Sequence, residues 1–185
     1  MSKISAIAIG VVVVLVVAGF AIQRSFAADN GPMPEVGQTA PTFTLPNQEG
    51  TPVSLDSYKG KWVVLYFYPK DMTTGCTIEA HKFQADLDKY KALNAVILGV
   101  SVDTVDSHKQ FCTKDSLSFT LLADPDKKVV PEYGSLGNYG PMVIANRNTF
   151  LIDPSGKIVK VWTKVDPNVH SADVLATLGE LQKKG

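Results

Sequence analysis

The sequence predicts an α/β protein, a mixed central sheet with helices on both faces. Two runs of strand length in which nearly every residue is apolar, Trp62 to Phe67 and Ala95 to Val102, are each followed by a stretch with helical spacing. Further on, Thr149 to Ile152 and Ile158 to Thr163 flank Asp153-Pro154-Ser155-Gly156, a turn sequence. A last amphipathic stretch opens at Ser171 and carries Val174, Leu175, Leu178 and Leu181 on one face. Strand–helix–strand–helix, then a hairpin and a helix, buries its apolar faces best as layers around one sheet.

The first 27 residues stand apart. Met1-Ser2-Lys3 is a short positive start, Ile4 to Ile22 is almost wholly apolar, and Gln23-Arg24 ends the run. Ser25-Phe26-Ala27 then supplies the small residues that a signal peptidase reads, which places cleavage between Ala27 and Ala28. The apolar run is also just long enough to span a bilayer, so an uncleaved anchor with Lys3 inside is the alternative. Cleavage is the preferred reading. Both place residues 36–185 outside the cytoplasm, exported through Sec because no twin arginine is present, and leave the membrane touched only by this segment. Residues 28–35, with Gly31, Pro32 and Pro34, read as a linker.

Residues 36–185 are enough for one domain with one substantial core. Thr42 to Leu45 and Pro52 to Ser54 flank Asn47-Gln48-Glu49-Gly50 and read as a β-hairpin ahead of the first buried strand. After that strand, a helix is expected from Cys76 to about Lys91. The second buried strand leads into a helix containing Ser107-His108-Lys109-Gln110-Phe111-Cys112, and Phe119 to Leu122 is short and extended. There is no internal repeat. With 18 basic and 18 acidic residues and a pI near 6.8, the composition disfavours a nucleic-acid partner.

The chemistry concentrates at Tyr68-Pro69-Lys70-Asp71-Met72-Thr73-Thr74-Gly75-Cys76-Thr77, where an apolar strand stops at a proline and a loop delivers a cysteine to the start of a helix. Unpaired N–H groups and the positive end of the helix dipole both favour thiolate over thiol there. A thiolate is a nucleophile, which points to redox or acyl chemistry. The bland alternative is packing. Cys76, Ala80, Phe83, Leu87 and Tyr90 fall on one apolar stripe, and an unpaired cysteine usually behaves as a small hydrophobe.

The loop itself favours chemistry. Pro69-x-x-x-Thr73-x-x-Cys76 resembles the active-site pattern of the peroxiredoxins, and Phe67-Tyr68-Pro69-Lys70-Asp71 with Gly75-Cys76-Thr77-x-Glu79-Ala80 resembles their bacterioferritin-comigratory, or Q-type, branch. Val36-Gly37-Gln38-Thr39-Ala40-Pro41, Leu122-Ala123-Asp124-Pro125-Asp126, Arg147-x-Thr149-Phe150-Leu151-Ile152-Asp153 and Trp162-x-Lys164-Val165-Asp166-Pro167 are similar to later landmarks of that branch. The likeness runs from Val36 to the C-terminus. It implies a thioredoxin-like fold with an N-terminal β-hairpin extension.

It also implies roles. Cys76 would be the peroxidatic cysteine, attacking the terminal oxygen of hydrogen peroxide or a small organic hydroperoxide and becoming a sulfenic acid. Thr73 would hydrogen-bond thiolate and peroxide through one hydroxyl. Pro69 would close the pocket over the sulfur, and Arg147 would supply a permanent charge and a fork of donors that stabilise thiolate and transition state. Some Q-type relatives place a resolving cysteine five residues after the first; here that position is His81. Cys112, thirty-six residues after Cys76, stands on the helix where another subgroup places it. The resemblance therefore implies an intramolecular disulfide, recycled by a thioredoxin-like dithiol protein, in a monomer that needs no cofactor. Thr74 stands where many relatives have proline, which leaves the loop less rigid.

The remaining candidates read as ordinary. Cys112 could be a buried thiol beside Phe111. Two cysteines and three scattered histidines show no metal-ligand spacing, and His81, His108 and His170 are expected at the boundary or surface. Two other functions stay open. One is an extracytoplasmic thiol–disulfide oxidoreductase without peroxidase activity, although Thr73-Thr74-Gly75-Cys76 supplies only half of a Cys-x-x-Cys pair. The other is an inactive binding module in which the two cysteines form a structural disulfide.

Overall fold

A computed structural model describes residues 30–183. The expected leader and cleavage site fall outside the described residues. Among the described residues, no helix is long and apolar enough to cross a membrane.

The chain opens with an antiparallel hairpin, β1 (Thr44–Pro46) and β2 (Pro52–Ser54), and a 3-10 turn at Leu55–Tyr58. It then enters a five-stranded mixed sheet. Central β3 (Trp62–Phe67) and β4 (Ala95–Ser101) run parallel, as do β4 and β5 (Thr120–Ala123). On the other side β8 (Asn148–Ile152) is antiparallel to β3, and β9 (Ile158–Thr163) pairs back on β8. Burial on both faces explains why β3 and β4 read as continuous apolar runs rather than alternating ones.

Side-chain alternation splits the core in two. Val63, Leu65 and Phe67 of β3 join Leu98, Val100, Leu122, Phe150 and Ile152 on one face, covered by Leu45 and Leu55 and by the short helix α4 (Val129–Glu132). Val64 and Tyr66 point the other way, into α1 (Thr74–Ala85), α2 (Leu87–Ala92), α3 (Val105–Asp115) and α5 (His170–Gln182). Helices do flank both faces, but the longer ones share one.

Three local readings need correction. The Cys76 helix does not run unbroken to Lys91. Asp86 sits at φ −94°, ψ 1°, and its carboxylate accepts from Ser171 Oγ at 2.8 Å and Lys89 Nζ at 2.7 Å, so the side chain turns to its neighbours and the helix breaks there. An antiparallel hairpin, β6 (Leu136–Tyr139) and β7 (Met142–Ala145), occupies a stretch whose Gly137, Gly140 and Pro141 hid its pairing. Finally, His108 and His170 are 0% and 1% exposed, buried rather than on the surface. His81 is exposed, as expected, beside Asp115.

Residues 30–34, read as part of a linker, lie against the domain. Asn30 exchanges hydrogen bonds with the backbone of Leu136, and Gly31 N donates to Pro131 O.

Candidate active site

The site forms at the carboxyl end of β3, where the chain leaves the sheet through residues 68–73 and enters α1. Because β8 is antiparallel to β3, its first residues return to that same end: Thr149 pairs with Tyr66, and Arg147 immediately precedes the strand. Two segments seventy residues apart meet for a topological reason.

Thr73 is the N-cap of α1, so Cys76 is the third helical residue, among N–H groups that have no intrahelical acceptor. Its side chain is 2% exposed. Arg147 Nη2 donates to Cys76 Sγ at 3.3 Å. The guanidinium reaches this position because Gly75 makes room. A Cβ there would lie 3.3 Å from Arg147 Nη2 and 3.8 Å from Pro167. Arg147 is itself held between two tethered neighbours: Asn146 N donates to Ser135 O at 2.6 Å, and Asn148 Nδ2 donates to Ser135 Oγ at 3.0 Å.

The other arm of the fork, Nη1, is bonded to Glu79 Oε2. Glu79 is fully buried, one helical turn after Cys76, and its Oε1 has no hydrogen-bond partner among the described residues. Burial pushes this carboxyl up to about 7, against the opposing pull of Arg147. The sequence motif contains Glu79 without indicating a role for it. The missed signal is a carboxylate three residues after the cysteine, on the apolar side of the helix.

Pro69 and Arg147 line one groove together with Tyr139, Asn148, Met33 and Lys164. Thr73 is exposed, and its hydroxyl donates to Lys70 O at 3.0 Å rather than to Cys76 Sγ. That bond fixes the loop and leaves the oxygen lone pairs free to accept. Thus Cys76, Arg147, Pro69 and Thr73 gather at one end of the sheet, with the predicted Thr73–sulfur bond absent from this state.

Cys112 lies on α3 and is half-buried against the same core cluster as Cys76; both thiols are free. Burial, with the negative charges of Asp71 and Glu49, pushes the Cys112 thiol up to about 11, so it is protonated at neutral pH. His170 Nε2 bonds Thr149 Oγ1 at 2.8 Å; burial and nearby Arg147 pull it down to about 4. Among the described residues, no group of three or more His, Cys, Asp or Glu side chains is placed to hold a metal ion.

Fold and site together define a thioredoxin-like protein with a buried, arginine-contacted cysteine at a helix N-terminus. The sequence model of the AhpC/TSA family matches residues 36–161, and this chain belongs to that family, in its Bcp/peroxiredoxin Q branch. It is 42% identical over 154 residues to the peroxiredoxin Bcp of Bacillus subtilis, covering 81% of this chain and 98% of that one. It is 47% identical over 148 residues to a putative peroxiredoxin bcp of Coxiella burnetii, covering 78% and 98%. Among solved structures, a cysteine-to-serine mutant of PrxQ from Xylella fastidiosa superposes with TM-score 0.78 at 33% identity, covering 82% of this chain and 99% of that one. A Xanthomonas campestris bacterioferritin comigratory protein, described for its alkyl peroxide reduction activity, gives 0.71 at 36% identity over 75% and 90%. The chain is therefore a peroxiredoxin, a peroxidase of the oxidoreductase class.

Proposed function

We propose that this peroxiredoxin reduces hydrogen peroxide and small organic hydroperoxides with Cys76 as its nucleophile, Cys112 as its resolving residue and a thioredoxin-like protein as its reductant. The observation that carries the reading is Arg147 Nη2 at 3.3 Å from Cys76 Sγ, at the start of α1. Thiolate and peroxide both need positive charge and donors in a water-poor site, and the helix terminus and guanidinium supply them without reorganising. Pro69 shields the sulfur, and the Thr73 oxygen, already donating to Lys70 O, accepts from the peroxide hydroxyl. The sulfur attacks the terminal oxygen, the O–O bond breaks, and water or an alcohol leaves.

Cys112 then attacks the sulfenic sulfur and displaces its oxygen as water. The organic branch of the substrate reading is supported by the alkyl peroxide activity named for the Xanthomonas relative. Reduced wild-type protein and Cys76→Ser, each mixed with one equivalent of hydrogen peroxide, test the assignment. The wild type should consume the equivalent and lose two thiols, and Cys76→Ser should do neither. Equal consumption by both would overturn it. We further propose that the leader exports the domain, with mature N-terminus Ala28. Mass spectrometry of the protein from the extracytoplasmic fraction checks that end, and full-length protein in the soluble cytoplasm would refute it.

A further inference from the structure

The loop that carries Pro69 and Thr73 is fastened to the helix that carries Cys112 by one buried side chain. Asp71 is 4% exposed. Its Oδ2 accepts from Ser107 Oγ at 2.7 Å and from His108 Nδ1 at 2.8 Å, both on α3, and its Oδ1 accepts from Tyr68 OH at 2.7 Å. Nδ1 must be the donor, because an ionised carboxylate has no proton to give. Although burial pushes the Asp71 carboxyl up, the hydrogen bonds and charge of His108, with those of Tyr68 and Ser107, hold it below the usual carboxylate range. Asp71 N donates in turn to Asp103 Oδ2 at 2.9 Å, at the end of β4.

Apart from this pin, helix α3 is tied by two pairs with exposed members, Asp115–His81 at 3.0 Å and Lys109–Glu49 at 3.2 Å, and by a small apolar contact surface. Of its eleven residues only His108 and Phe111 are buried, and one of those two is the partner of Asp71. Few buried apolar contacts mark an element that opens at low cost. Met72, between Asp71 and Thr73, is exposed at φ 57°, a left-handed conformation unusual for a side chain of its size. Met72 joins Asp71 directly to Thr73, the N-cap of α1.

We propose that Asp71 is a positioning residue for the second half of the cycle, pinning α3 against the Cys76 loop while Cys76 is reduced and releasing it once Cys76 is oxidised. Cys76 is buried in one helix and Cys112 sits inside another, and a disulfide requires Cα atoms within about 7 Å and correctly aimed Cβ atoms. The step itself is balanced: Cys76–SOH and Cys112–SH give the S–S bond, the S–O bond breaks, and the Cys112 proton leaves with that oxygen as water. The inference rests on the reading of Cys112 as the resolving residue. The pin sets how long the sulfenic acid waits, and so how much of it a second peroxide carries on to sulfinic acid.

The test uses Asp71→Asn and the milder Ser107→Ala, which removes a single bond from a half-buried hydroxyl. Amide exchange over residues 107–115 of the reduced proteins should rise about tenfold in Asp71→Asn and less in Ser107→Ala, with β4 unchanged. After one equivalent of peroxide, disulfide formation should speed up in the same order. The peroxide concentration that gives half sulfinic acid should rise with it. Should Asp71→Asn fail to fold, Ser107→Ala carries the comparison. Unchanged exchange in α3, or raised exchange with an unchanged rate of disulfide formation, would overturn the pin. A wild type that forms no Cys76–Cys112 disulfide would instead overturn the resolving role, while the exchange measurement still judges the pin.

Discussion

Arg147 divides its guanidinium between two groups of opposite fate, donating through Nη2 to Cys76 Sγ at 3.3 Å and through Nη1 to Glu79. The planar fork makes this division possible, and an ammonium group, with one point of charge, cannot reproduce it. Arg147→Lys should therefore keep the fold and the charge yet lose alignment. We expect the first-equivalent rate with hydrogen peroxide to fall about 100-fold, the usual scale for losing a preorganised donor. Stopped-flow fluorescence follows it. A rate within about twofold of the wild type would show that charge alone suffices.

Glu79 makes stability depend on pH. Its folded value, about 7, lies above the ordinary glutamate value of 4.5, so the folded state prefers the protonated acid. Its contribution is complete below about 4.5 and is lost as pH rises through 7. Glu79→Gln removes a group that titrates in this window. The stability of the variant relative to the wild type should thus grow from pH 4.5 to 7 and level off above. Urea unfolding at a series of pH values measures it, and a constant difference would count against the shift.

His170 acts in the opposite sense. Burial and Arg147 hold it near 4, below the ordinary value of 6.5, so neutral imidazole is favoured and its contribution is complete above 6.5 and lost as pH falls through 4. Its NMR midpoint should lie near 4. His170→Asn should flatten the acid limb of the stability profile between 6.5 and 4. A midpoint above 6 would mean that the ring is open to water.

Thr73 separates two uses of one hydroxyl. Thr73→Ser preserves the donor to Lys70 O and the acceptor, whereas Thr73→Val preserves the shape and loses both. Peroxide reduction by Thr73→Ser should stay within a few-fold of wild type, and Thr73→Val should fall about 10- to 100-fold. Equal rates in the two variants would leave the hydroxyl no part in catalysis.

Much of this architecture was legible because it rests on local rules. Trp62–Phe67 and Ala95–Ser101 announce themselves as strands because both faces are buried and every position is apolar or small. The position of Cys76 at a helix start follows from Pro69 and the loop after it. The missed features depend on distant partners. The break at Asp86 requires Ser171, eighty-five residues later in the chain, and the β6–β7 hairpin requires Gly137 to pass within contact of Asn146 and Tyr139. His108 and His170 read as surface residues because a histidine's partner cannot be seen from its neighbours in sequence. Asp71 and Thr149 supply those partners through the sheet. Glu79 belongs with these: a carboxylate looks like a solvated helix charge until the fold places Arg147 against it.

The roles of the two cysteines are separable by how their serine variants fail. While α3 stays folded, Cys112, with its thiol pushed up by burial to about 11, is a poor nucleophile at neutral pH, whereas Cys76 has Arg147 and a helix start beside it. The first peroxide should therefore be consumed at one sulfur. Cys76→Ser should lose the fast reaction entirely, because a serine hydroxyl is not ionised at neutral pH and attacks far more weakly. Cys112→Ser should still reduce about one equivalent per chain and stall as a sulfenic acid, trapped as an adduct by a dimedone-type reagent. With excess peroxide it should climb to sulfinic acid, a mass gain of two oxygens, because no thiol intercepts it. A small external thiol should partly restore turnover by taking the resolving step. Mass spectrometry after one equivalent and after excess distinguishes these species. If Cys112→Ser is as inert as Cys76→Ser in the first equivalent, the assignment of roles is wrong. If it turns over with a thioredoxin-type reductant at the wild-type rate, Cys112 does not resolve, and the enzyme works through Cys76 alone.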